Sequence, residues 1–144
     1  MNVLKYMLIP VVLFWAGFVS AISFFEAWLK FRAEGITRET GLRIGKLIFT
    51  SLNKVEIVFL ALVWIVVFST PELPRLPSST PGLLLWALTM IMTLETFWLT
   101  PRLTRRATEI IQGSTPPPSK LHLLFILLEL IKVTVLIAFY GLLI

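Results

Sequence analysis

Apolar and polar positions along this chain fall in long blocks. Four apolar stretches, at about 3–29, 42–68, 82–99 and 120–144, are separated by short polar connections. Each is close to or above the roughly 20 residues that carry a helix across about 30 Å of hydrocarbon, so the pattern predicts four transmembrane helices. The first is long enough to tilt or protrude, and Pro10 is placed to kink it. The connection at 30–43 carries Gly35 and Gly41 as breakers and Thr40 as an expected N-cap. That at 69–82 contains Pro71, Pro74, Pro77 and Pro81, which prevent a helix from continuing. After Pro101 the stretch 102–112 turns amphipathic and basic, and reads as a short cytoplasmic interfacial helix ended by Gly113. A stiff linker with three prolines comes next, at 114–119. The expected fold is all-α: a four-helix transmembrane bundle forming one integral membrane domain over 1–144.

Composition agrees with that pattern. Hydrophobic residues make up 57% of the 144, and the mean hydropathy is +0.89, more apolar surface than one small soluble core hides. Lys5, an apolar run and Val19-Ser20-Ala21 loosely resemble a signal peptide, but the run continues through Leu29, so a retained first span is expected. Cysteine is absent, which excludes disulfides, thiolate metal sites and a cysteine nucleophile. There is one histidine, no aspartate, no Gly-x-Ser-x-Gly and no phosphate loop, so no catalytic triad is expected and catalytic residues are unassigned. The net charge of +5 lies in loops without the aromatic platform that nucleic acid requires. It reads as a topology signal. Nine Lys and Arg residues (Lys30, Arg32, Arg38, Arg43, Lys46, Arg102, Arg105, Arg106 and Lys120) flank one membrane face, and Lys5 and Arg75 flank the other. Both basic loops are therefore expected in the cytoplasm and both termini outside.

Against this background the glutamates stand out, because each apolar stretch contains one: Glu26, Glu56, Glu95 and Glu129. A charge at mid-membrane costs roughly 2.5–3.5 kcal/mol before pairing, so these side chains are expected to turn inward and converge in the cytoplasmic half of the bundle. Asn53 shares a helix face with Glu56. His122, Glu129, Val133, Leu136 and Tyr140 share another, with Lys132 at its edge. Ala16, Ser20, Ser23 and Ala27 make a small packing face on the first span, while Thr89, Thr93, Thr96 and Thr100 form a stripe on the third that points away from Glu95. Lys54 points elsewhere.

Two chemistries suit such a cluster. Glu26, Glu56, Glu95, Glu129 and His122, supported by Asn53 and Lys132, form a candidate metal site for a divalent Fe, Mn or Zn ion, though di-metal carboxylate bundles use two Glu-x-x-His motifs that this chain lacks. Alternatively the crowded carboxylates titrate protons or couple ions for transport or redox chemistry. A third reading is a polar network that fixes helix register in a non-catalytic accessory subunit of a larger membrane complex or a homo-oligomer. Taken alone, His122 also reads as an interfacial helix-start residue.

Ser23-Phe-Phe-Glu-Ala-Trp-Leu-Lys-Phe-Arg32 closing the first span, Lys46-Leu-Ile-Phe opening the second, Trp98-Leu-Thr-Pro-Arg102 closing the third and His122 opening the fourth resemble a four-span membrane family. That family includes vertebrate transmembrane protein 205 and many bacterial proteins of unknown function. The resemblance implies a four-helix membrane bundle and little agreed biochemistry; the expected location of this chain is a bacterial inner membrane. Where small or amide side chains are expected in relatives, this chain has Glu26, Glu95 and Glu129, which implies a polar pocket made acidic.

Overall fold

The computed structural model describes residues 3–73 and 75–144, with the side chains of all of these but Leu4 and Lys5. Pro74 of the proline-rich connection and the side chain of Lys5 thus lie outside the described residues. Among the described residues there are four long helices and no strands: α1 over 3–32, α2 Arg38–Ser69, α3 Thr80–Ile111 and α4 Leu121–Leu143. All four are long and apolar enough to cross a membrane, which favours an integral membrane protein. They run up and down in a ring in which α1 packs on α2 and α4, and α3 packs on the same two.

The inward positions follow a 3–4 spacing. On α3 they are Leu85, Leu88, Met92, Glu95 and Leu99; on α4 they are Glu129, Lys132, Leu136, Phe139 and Leu143. Such spacing keeps one stripe turned to the bundle axis along near-antiparallel helices. Outward positions are as apolar as inward ones, with Phe14, Leu83, Met90 and Phe97 exposed, a surface suited to lipid. Toward the end that carries the proline-rich connection, Leu8, Val12, Val63, Val67, Leu85, Leu88, Leu136 and Phe139 close the axis with an apolar layer.

Three boundaries differ from the sequence expectation. Thr37, not Thr40, caps α2: its hydroxyl accepts the Thr40 N–H at 3.1 Å, so Gly41 lies within the first turn instead of breaking a helix. The amphipathic helix expected over 102–112 is present at Thr100–Ile111, and it continues directly from the third span as the end of α3. Its Ala107 is buried, and Lys46 Nζ from the start of α2 donates to Thr108 Oγ1 at 2.7 Å. Pro101 does not stop α3 because a π-bulge, Glu95–Leu99, precedes it; the Thr100 N–H reaches back five residues to the Glu95 carbonyl, and the widened turn accommodates the proline. Gly113 does end the helix as expected. It takes φ of 90°, with its N–H on the Ile110 carbonyl at 3.1 Å and the Ser114 N–H on Glu109 at 2.9 Å, a Schellman closure. At 32 residues, α2 and α3 each reach about 48 Å, longer than about 30 Å of hydrocarbon, and their ends pair at the basic end through Lys46 and Thr108.

Candidate functional site

Every helix sends a polar side chain to one point on the axis. Lys132 of α4 is fully buried, and its Nζ lies 2.7 Å from Glu56 Oε1 of α2, 2.5 Å from Glu95 Oε2 of α3 and 2.6 Å from Glu129 Oε1 of α4. Glu56 and Glu95 are each 1% exposed and Glu129 is 0% exposed, so all four charged groups are buried in the bundle interior. From α1, Trp15 Nε1 donates to Glu56 Oε1 at 3.0 Å and Ser23 Oγ donates to Glu129 Oε2 at 2.6 Å. Asn53 Nδ2 donates to Thr96 Oγ1 at 3.1 Å in the adjoining layer, tying α2 to α3.

These contacts are not equivalent. Lys132 makes hydrogen bonds to Glu56 and Glu129, while its approach to Glu95 is an ion contact without hydrogen-bond angles. Apart from that contact with the ammonium, neither Glu95 oxygen has a hydrogen-bond donor among the described residues. Fully ionised, three carboxylates and one ammonium leave two negative charges uncompensated in a buried position, which is costly without further positive charge.

Local helix geometry contributes to this convergence. A π-bulge adds a residue to a turn and rotates the rest of the helix beyond it, and the two bulges, Ala21–Glu26 in α1 and Glu95–Leu99 in α3, contain Ser23 and Glu95. Thr89 and Thr96 of the threonine stripe face α2, accepting from Trp64 Nε1 at 3.0 Å and from Asn53. Glu95 faces α4 instead, in line with the different neighbours expected for it.

Of the residues singled out from the sequence, Glu56, Glu95 and Glu129 come together, and Lys132 lies at their centre instead of at an edge. Glu26 does not join them. It pairs with Lys30 at 3.5 Å, one turn on along the same helix. His122 is exposed and makes no contact with the cluster. Glu26, Lys30 and His122 line a separate cavity of about 400 Å³ at the basic end, between the extended ends of α2 and α3 and the ends of α1 and α4. Its wall includes Ser23, so the hydroxyl that donates to Glu129 separates this vestibule from the buried centre. Lys54 is exposed and takes no part.

No protein-family model matches this chain, nor does any curated protein or solved structure. The site's chemistry therefore rests on its geometry.

The three carboxylates could hold a metal by spacing alone, since one oxygen of each lies within 4.8 Å of the others. The ammonium, however, already occupies the point they share, so a metal ion and charged Lys132 compete for one position. Trp15 is the site residue that sequence reasoning missed. A signal was present: Leu8, Val12, Trp15, Val19 and Ser23 repeat at near-heptad spacing, which puts the indole on the inward stripe.

Proposed function

We propose that this protein is a small proton-titrating membrane protein in which Glu56, Glu95 and Glu129, arranged around Lys132, take up and release protons to drive transport. The observation that carries the reading is the charge imbalance around Lys132: three buried carboxylates share one ammonium. A proton placed on Glu95 removes part of the excess charge. Access favours protons over metal ions. The vestibule presents Lys30, Arg38, Lys46 and Arg106 against the single carboxylate of Glu26, which repels a divalent cation, whereas a proton passes along carboxyl and hydroxyl groups. Glu26 on the vestibule side and Ser23 at its inner wall supply such groups, and the apolar layer at the other end makes access one-sided in this conformation.

The basic end facing the cytoplasm, as the lysine and arginine asymmetry favours, belongs to this proposal. So does membership of the four-span family around transmembrane protein 205, supported by the motifs near Glu26, Lys46, Trp98 and His122. A second reading, a metal centre, is favoured by the three oxygens within 4.8 Å of one another and requires Lys132 to withdraw.

Infrared difference spectroscopy between acidic and alkaline samples tests the proton reading. A C=O band of protonated carboxyl that titrates in the wild type and weakens in Glu95→Gln is expected; no such band, or one unchanged in Glu56→Gln, Glu95→Gln and Glu129→Gln alike, would overturn it. In liposomes, proton flux should fall in the same variants.

A further inference from the structure

The vestibule is larger and more cationic than a proton path needs. Its volume of about 400 Å³ falls in the range of small-ligand sites, and its wall divides into two parts. The apolar part includes Ile22, Phe31, Leu42, Phe49, Leu52 and Phe125, of which Phe31 and Leu42 lie at the level of the cations, with the Phe31 ring against Gly41. The polar part carries Lys30, Arg38, Lys46 and Arg106. Existing contacts do not neutralise these cations. Only Lys30 has a carboxylate, at 3.5 Å from Glu26, while Lys46 and Arg106 donate to uncharged oxygens, Thr108 Oγ1 and the Pro117 carbonyl, each at 2.7 Å. Arg38 has no hydrogen-bond or ion-pair partner among the described residues.

The geometry points to this vestibule as a binding site for a phosphate-headed anionic membrane lipid, its headgroup held by Arg38, Arg106 and Lys46 and the start of an acyl chain against the apolar wall. Three cations without carboxylate partners exceed what a single carboxylate headgroup calls for, and the guanidinium fork of arginine matches phosphate oxygens. The site is also placed for it. Basic pockets between helices where a bundle leaves the membrane are where lipid headgroups are available, and here apolar side chains line the same cavity as the cations. This inference uses none of Glu56, Glu95, Glu129 or Lys132, although it shares the vestibule and its cations with the access route of the proton reading.

The test is thermal unfolding and native mass spectrometry of the detergent-solubilised protein, titrated separately with phosphatidylglycerol, phosphatidylcholine, a long-chain fatty acid and inorganic phosphate. Phosphatidylglycerol is expected to raise the melting temperature and remain bound in the gas phase at one per chain, with no comparable effect of the other three. Arg38→Gln should weaken its apparent affinity roughly tenfold or more, the scale of one charge-assisted hydrogen bond, while Arg38→Lys retains part of it. Because Arg38 makes no polar contact of its own, Arg38→Gln leaves the lipid-free melting temperature near that of the wild type. Equal stabilisation by phosphatidylcholine, or an affinity unchanged in Arg38→Gln, overturns the site. Equal binding of fatty acid overturns the phosphate assignment, and equal binding of inorganic phosphate overturns the lipid.

Discussion

Replacing Lys132 with Met removes the ammonium while keeping an unbranched side chain of similar length, so the perturbation is largely electrostatic. At separations of 2.5–2.7 Å, and with an effective dielectric near 20, each ammonium–carboxylate contact contributes roughly 6 kcal/mol of gross attraction. Carboxylate oxygens within 4.8 Å of one another repel by about 3.5 kcal/mol or more per ionised pair on the same scale. Lys132 thus outweighs the repulsions it sits among, and without it nothing in the bundle does. Desolvation offsets much of the gross attraction, and breaking a buried pair from one side costs about 3–5 kcal/mol net. For a chain of this length that corresponds to a fall in melting temperature of roughly 6–20 °C, measured by thermal unfolding in mild detergent. The decisive comparison is the double variant Lys132→Met with Glu129→Gln, in which one negative charge leaves with the positive one. It should be more stable than the summed single effects by about 0.5–3 kcal/mol, the range for groups in direct contact. A Lys132→Met protein that melts with the wild type, or a double variant that loses the full sum, would refute the account of Lys132 as the charge that holds the centre together.

Individual contacts set further expected outcomes. Glu95→Gln should be the mildest of the three carboxylate changes, within about 1 kcal/mol of wild type by the same assay, because Glu95 accepts no hydrogen bond and its loss reduces the excess negative charge. Trp15→Phe removes the indole donor from Glu56 and should cost about 1–3 kcal/mol, with Glu56→Gln plus Trp15→Phe less than additive. Gly82→Ala drives a methyl into the Leu76 carbonyl at the start of α3, and a loss of about 1–3 kcal/mol is expected in denaturation, with the lipid response of the distant vestibule unchanged. Protein purified without added metal should contain less than one metal ion per chain by elemental analysis and keep its melting temperature on chelation. A stoichiometric ion that disappears in Glu129→Gln would instead favour the metal centre.

Much of the fold was legible because hydrocarbon imposes a simple rule: four apolar blocks of sufficient length, with prolines and basic residues between them, have few alternatives to four spanning helices. The candidate site was legible in kind for the same reason, since glutamates in such blocks turn inward. Its membership was less so. Glu26 fits an inward glutamate by spacing as well as Glu129 does, yet it lies one turn beyond Ser23, at the level of the vestibule, where Lys30 meets it. Lys132 reads from a helical wheel as lying at the edge of the Glu129 face, because a 3.6-residue period centres that face on Leu136 and Tyr140. The 3–4 stripe of a packed bundle centres it on Lys132.

The class of the protein, the number of its helices and the presence of buried acid are therefore written in the order of its residues, because all three come from the cost of leaving polar groups in lipid. Which acids meet, and what they meet, depends on packing in three dimensions. Glu56, Glu95 and Glu129 lie far apart in the chain, and their convergence depends on helix phase, on two π-bulges that reset that phase, and on the depth at which each helix crosses its neighbours. A shift of one residue turns a helix by about 100°, enough to exchange a buried ion for an exposed one. That sensitivity explains how a lysine assigned a supporting role in the sequence is the cation at the centre of the bundle.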